Sequence, residues 1–148
     1  MLYTGCILDE ELRGSDKARG IFRISVMSRH TECCGKKPDE RITSAHYDEH
    51  WMALAPHAKL VGKYYRNEIC YAELETSYIV SLIENGAQYD AVRQLIELAI
   101  ARDVRILCIE PTPSPELVKT APLMCHRIAL AKHCRDTNSL LRISYALS

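Results

Sequence analysis

The sequence predicts a single α/β domain with a mainly parallel sheet of about four strands flanked by helices. Four short apolar runs are separated by segments in which apolar residues recur at helical spacing, which is the order expected of alternating strands and helices. The apolar runs are nearly continuous instead of alternating with polar residues, as is typical of parallel strands covered on both faces. A chain of 148 residues is the usual size of one domain.

The first two predicted strands are residues 2–8 and 21–27, which are rich in β-branched and other apolar side chains. The segment between them, residues 11–20, is polar and contains Gly14 and Gly20, so we expect an irregular linker. Residues 28–42 have the composition of a loop that follows the second strand.

Helical spacing dominates from residue 43 onward. Thr43 or Ser44 is expected to cap a short helix that carries His46 and His50, and Pro56 is expected to open the next one. Further helices are predicted over residues 71–83, 89–102 and 122–134, with Asn85-Gly86 as a stop signal, and the last two strands over residues 104–109 and 140–147.

Charge and cysteine content restrict the functional classes. Nineteen basic and nineteen acidic residues cancel, so the chain lacks the excess of positive charge expected of a nonspecific nucleic-acid-binding protein. The start of the chain lacks a basic segment, and its apolar run is too short for a signal peptide or a membrane span. Seven cysteines without an export signal indicate reduced thiols. We therefore expect a cytoplasmic protein without a membrane partner, and association between copies of the chain is left open.

A candidate site follows the strand predicted over residues 104–109. Glu110 lies at the end of that strand, and Cys125-His126-Arg127 begin the next predicted helix, where free N–H groups favour anions. Ser28-Arg29 follow the strand over residues 21–27 in the same way. Polar groups in parallel sheets gather at the carboxyl ends of the strands, so we expect these residues to meet there.

These motifs resemble the uncharacterised proteins grouped as domain of unknown function 488. The resemblance covers most of the chain and rests on Cys108-x-Glu110, Cys125-His126-Arg127, Ser28-Arg29 and Leu54-Ala55-Pro56. It implies a compact α/β fold and a polar pocket at the strand ends, and it implies no particular activity.

One interpretation is a pocket for a small anionic ligand, with an enzymatic activity left open. Arginine side chains bind phosphate through charge-assisted hydrogen bonds, and a thiol at a helix N-terminus beside cationic groups gains nucleophilicity. The candidate ligand-binding residues are Ser28, Arg29 and Arg127, and the candidate catalytic residues are Glu110, Cys125 and His126. No cofactor is expected.

The other interpretation is a noncatalytic interaction or redox-regulatory protein. In that case Glu110 and Arg127 form a structural ion pair, because buried charges need partners whatever their purpose. Cys125 is then a small buried hydrophobic residue, and Cys33 and Cys34 in the loop are the redox-sensitive or interacting thiols.

Two short motifs contain metal-ligand residues. His30-x-x-Cys33-Cys34 lacks a second pair of ligands, and adjacent cysteines do not have the usual chelate spacing. His46-x-x-Glu49-His50 matches the pattern of the inverted zinc peptidases but fixes only three positions. We therefore expect the protein to bind no metal ion.

Overall fold

A computed structural model describes residues 1–32, 37–110 and 125–145. The strands are β1 (Leu2–Cys6), β2 (Phe22–Ser25), β3 (Glu49–His50), β4 (Val104–Cys108) and β5 (Ile143–Tyr145). The helices are α1 (Glu10–Arg19), α2 (Ala58–Tyr65), α3 (Tyr71–Glu84), α4 (Gly86–Ala101) and α5 (His126–Thr137), with short 3-10 helices at Ser44–His46 and Met52–Leu54. The strands form one sheet in the order β3-β2-β4-β1-β5.

Every strand pair of this sheet runs parallel, which confirms the predicted fold class. The central strand β4 is buried along its whole length, because it has a hydrogen-bonded neighbour on each side and side chains packed on both faces. Val104 lies opposite Leu2 of β1 and Phe22 of β2, so the three strands start and end almost level. Their carboxyl ends therefore form one edge of the sheet.

The main hydrophobic core lies between the sheet and helices α3, α4 and α5. Strand residues such as Ile24 and Ile106 belong to the same buried cluster as Leu82 of α3, Leu95 of α4 and Leu130 of α5. Alternate residues of the strands point to the other face, where α1 contributes a buried carboxylate. Both faces of the sheet are thus covered, as the continuous apolar runs predicted.

The expectation of an irregular linker over residues 11–20 is wrong, because helix α1 spans Glu10–Arg19. The Asp9 side chain accepts a hydrogen bond from a first-turn backbone N–H, and Gly20 ends the helix in the left-handed region at φ 67°. The buried Asp16 holds the helix on the sheet through two arginines. These contacts outweigh the unfavourable propensity of Gly14 in the helix interior.

The helix predicted from residue 43 is also wrong. Thr43 caps only the 3-10 helix Ser44–His46, and the chain then forms β3, which pairs with Ile24 and Ser25 of β2. A strand of two residues leaves no periodic pattern in the sequence. β3 forms because the outer edge of β2 has unpaired backbone N–H and C=O groups, and the chain at Glu49–His50 forms hydrogen bonds with them.

The remaining elements follow the predictions, with shifted ends. Pro56 precedes α2 by two residues, and Asn85 both ends α3 and caps α4 with its side chain. The described part of the helix predicted over residues 122–134 is α5, whereas residues 122–124 lie outside the described ranges, as do residues 146–147 of the last predicted strand. Within the described ranges, each helix is too short or too polar to cross a membrane.

Candidate functional site

Four side chains with chemically reactive atoms meet where β4 ends and α5 begins. Cys108 is the last residue of β4, Glu110 follows two residues later, and Cys125 and His126 form the start of α5. One atom from each of them, two sulfurs, a carboxylate oxygen and an imidazole nitrogen, lies within 4.8 Å of the other three. We call this set the Cys-Cys-Glu-His cluster.

The two thiols form the innermost part of the cluster. Cys108 Sγ lies 3.3 Å from Cys125 Sγ, and Cys125 Sγ lies 3.8 Å from Glu110 Oε2. Burial raises the pKa of Cys108 well above its ordinary value. Burial would also raise the pKa of Cys125, but the hydrogen bond from Cys108 and the charge of Arg127 outweigh it, and the pKa falls. Cys125 is therefore the thiol that ionises first.

Arg127 is fully buried beneath these thiols. Its Nη1 donates hydrogen bonds to Cys108 Sγ and to the backbone carbonyl oxygen of Glu110, at 2.7 Å. The guanidinium thus contacts the Glu110 backbone and a sulfur atom. The first interpretation of the sequence gave Arg127 the role of binding a ligand, and the second gave it an ion pair with the Glu110 carboxylate. The positive charge of the guanidinium stabilises negative charge on the sulfur atoms.

His126 is held in one orientation by the neighbouring strand. Its Nε2 lies 3.0 Å from the carbonyl oxygen of Val26, which can only accept a hydrogen bond, so Nε2 carries the proton. Its Nδ1 lies 3.9 Å from Glu110 Oε1. Burial lowers the pKa of His126 even though Glu110 opposes the shift, so the ring is neutral at neutral pH. Nδ1 therefore presents a lone pair towards the cluster.

A cavity of about 370 Å³ opens next to the cluster at the carboxyl edge of the sheet. One face of α2 forms an apolar wall with Ala58, Val61, Gly62 and Tyr65. The described polar residues that line the cavity are Ser28, Arg29, Thr31, Glu32, Arg66, Glu110 and His126. Four of the six residues predicted from the sequence are thus on the wall, whereas Cys125 and Arg127 lie behind it.

The two arginines of the cavity differ in their surroundings. Arg66 holds Glu68 through its Nε at 2.7 Å, so much of its charge is already compensated. Arg29 is exposed and forms no ion pair with any residue in the described ranges. Arg29 is therefore the better placed of the two to bind an anionic group.

Burial by itself would raise the pKa of Glu110. At the acidic pH where Glu110 titrates, the charge of protonated His126, a thiol hydrogen bond and the charge of Arg127 outweigh burial, and the pKa of Glu110 lies below its ordinary value. Glu110 is therefore ionised at neutral pH and can accept hydrogen bonds from a ligand in the cavity.

The histidines of the two sequence motifs lie elsewhere. His46 Nε2 lies 3.2 Å from Glu10 Oε1, whereas His50 is on β3 with its Nε2 2.5 Å from the carbonyl oxygen of Met27. The zinc-peptidase pattern requires both histidines on one helix, whereas His46 lies on a 3-10 helix and His50 on a strand. His30 stacks on His50 at 4.3 Å, while Cys33 and Cys34 lie outside the described residues.

Sequence analysis missed two parts of this site. Cys108 was not among the candidate site residues, because a cysteine inside an apolar strand is usually a packed hydrophobic residue of the core. The alternating position of Cys108 and Glu110 was the available signal, since residues two apart on a strand face the same way. The wall formed by α2 depends on how that helix packs, and no local motif indicates it.

A scan against protein-family models, a search of curated proteins and a search of solved structures each found no match for this chain. The resemblance to domain of unknown function 488 therefore stays a prediction from the motifs.

Proposed function

We propose that this protein binds a small phosphate-bearing ligand in the cavity at the carboxyl ends of β2 and β4. The observation that carries the proposal is the position of Ser28 and Arg29 on the wall of a concave site at that edge of the sheet. Ligands of parallel α/β proteins bind at this edge, where the loops that follow the strands converge.

The size and walls of the cavity suit a metabolite. A volume of about 370 Å³ lies in the range of small-molecule sites, which is roughly 300–1,000 Å³. The face of α2 with Val61 and Tyr65 offers apolar surface to a carbon skeleton. A guanidinium and a hydroxyl on the opposite loop supply donors for phosphate oxygens.

The acidic residues of the cavity narrow the ligand class. Glu32 and Glu110 line the same space as Arg29, and a carboxylate there repels a bare anion. A phosphate ester with hydroxyl or amino groups fits better, because those groups donate hydrogen bonds to the carboxylates while Arg29 binds the phosphate. We therefore infer a phosphorylated sugar or a similar polyhydroxylated ester.

The proposal is limited to binding. Cys125 is only 7% exposed and does not line the cavity, so a nucleophilic role would require its thiol to reach the ligand through the wall. The buried Arg127 supports the cluster and leaves phosphate recognition to Arg29. Catalysis and a noncatalytic regulatory role are both compatible with this binding site.

Binding is tested by isothermal titration calorimetry with a hexose phosphate, the unphosphorylated hexose, a nucleoside monophosphate and inorganic phosphate. We expect the hexose phosphate to bind most tightly. Arg29→Ala is expected to weaken this binding at least about tenfold, because a charge-assisted hydrogen bond contributes about 1.5–3 kcal/mol. Arg29→Lys restores part of the affinity, since lysine lacks the planar fork.

Arg93→Ala is the matched control. Arg93 is an exposed arginine of α4 that pairs with Glu97 and does not line the cavity, so its removal changes the net charge equally without affecting the site. Equal losses of affinity in the two alanine variants, or no binding of any phosphate compound by the wild type, would contradict the proposal.

A further inference from the structure

We infer that the Cys-Cys-Glu-His cluster is a binding site for a single zinc-like divalent ion, with Cys108, Cys125, Glu110 and His126 as its ligands. This inference replaces the sequence-based expectation of no metal, which considered only motifs of neighbouring residues. The site shares Glu110 and His126 with the wall of the adjacent cavity, but its evidence and its test do not depend on phosphate binding there.

The spacing of the ligand atoms carries the inference. Tetrahedral zinc with sulfur, nitrogen and oxygen ligands places these atoms about 3.4–3.8 Å apart. In the cluster the two sulfurs are 3.3 Å apart, Cys125 Sγ lies 3.8 Å from Glu110 Oε2, and His126 Nδ1 lies 3.9 Å from the other oxygen of the same carboxylate, Oε1. One ligand atom of each residue lies within 4.8 Å of the other three, so side-chain shifts of up to about 1 Å would give the tetrahedral geometry.

The orientation of His126 is a second, independent observation. Metal-binding histidines usually donate the other ring N–H to a carbonyl or carboxylate, which fixes the ring and its tautomer. Val26 provides that carbonyl oxygen, 3.0 Å from Nε2. The Nδ1 lone pair consequently faces the Glu110 carboxylate at 3.9 Å, and a cation bound between these two acceptors would remove their mutual repulsion.

The charges of the cluster also balance around a divalent ion. Zinc binding releases the protons of both thiols, so Cys108, Cys125 and Glu110 together carry three negative charges. A divalent ion supplies two positive charges, and Arg127, which donates to Cys108 Sγ, supplies the third. A buried site with no net charge avoids most of the desolvation cost.

The ligand types select the ion. Thiolates with an imidazole favour zinc over magnesium and calcium, which prefer sites built entirely of oxygen atoms. Four protein ligands fill the tetrahedral positions of zinc, so the site would be structural and would join the end of β4 to the start of α5.

Cobalt(II) titration of the reduced full-length protein tests the site. We expect uptake of one cobalt ion per chain, with the intense visible absorption of tetrahedral cobalt and a sulfur-to-cobalt charge-transfer band, and displacement by zinc. His126→Gln is expected to weaken binding more than about tenfold, since even the loss of a partner of a ligand costs about 10–100-fold.

Matched controls lie on the same helix. His133→Gln and Cys134→Ser change the same residue types in α5 outside the cluster, and both should bind cobalt as the wild type does. Should His126→Gln fail to fold, the charge-transfer band of the wild type still tests for thiolate ligands.

Three results would overturn the inference. The first is reduced wild-type protein that takes up no cobalt. The second is uptake that is lost on changing His30 or His46 but kept in His126→Gln. The third is a disulfide between Cys108 and Cys125 that persists under a thiol reductant.

Discussion

Asp16 is the residue on which the second face of the sheet depends. It is fully buried, and it accepts hydrogen bonds from Arg23 on β2 and from Arg105 on β4, whose side chains lie next to each other across the two strands. Arg105 also donates to the carbonyl oxygen of Thr4 on β1 at 2.7 Å. One carboxylate thus holds α1 directly to β2 and β4 and, through Arg105, to β1.

We expect Asp16→Ala to lower the free energy of unfolding by about 3–5 kcal/mol, because it leaves two buried guanidinium groups without their anionic partner. Urea denaturation followed by circular dichroism measures the change. Glu97→Ala is the control, since the Glu97 side chain is 71% exposed and pairs only weakly with Arg93. A loss below about 1 kcal/mol for Asp16→Ala would show that water or other groups replace the carboxylate.

At the scale of the element, α1 illustrates how the same substitution can have opposite effects. Gly14 is exposed in the helix interior, and a Cβ added there meets no atom within 4 Å. Gly20 also has open space around its Cα, but its φ of 67° lies in the left-handed region that other residues avoid. Space alone therefore does not decide which glycine can be replaced.

Gly14→Ala is expected to stabilise the protein by about 0.5–1 kcal/mol through helix propensity, whereas Gly20→Ala should destabilise it by about 1 kcal/mol. Thermal unfolding of the two variants beside the wild type checks both signs in one experiment. If both variants shift the midpoint in the same direction, the helix does not end at Gly20 as the structure shows.

At the scale of the whole molecule, the strand order determines where the fold is most stable. β4 occupies the centre of the sheet with a partner on each side, while β3 and β5 are the outer strands with one partner each. Local opening in proteins begins where backbone hydrogen bonds are few and exposed. The site at the end of β4 is therefore attached to the most stable strand.

Native-state hydrogen exchange is expected to show the slowest amides in β4, at the free energy of global unfolding, and faster exchange in β5 by at least about 100-fold. Exchange measured by NMR for Ile106 and Ser144 compares the two strands directly. Equal protection at these positions would mean that β5 is covered in solution by a contact other than its partner β1.

The amino-acid sequence by itself determined the class of the fold and the edge of the sheet where polar residues collect. Continuous apolar runs and helical spacing are local patterns, and they identify β1, β2, β4 and the helices α3 and α4. The order of these elements then directs Ser28, Arg29, Glu110 and His126 to the carboxyl edge, where all four line one cavity.

Only the tertiary structure decided three other features. Helix α1 depends on Asp16 meeting arginines of two strands, and β3 exists because the edge of β2 accepts it. Cys108 belongs to the site because α5 places Cys125 at 3.3 Å. The physical reason is common to all three: the stabilising contacts join residues far apart in the chain, so their energies leave no local pattern in the sequence.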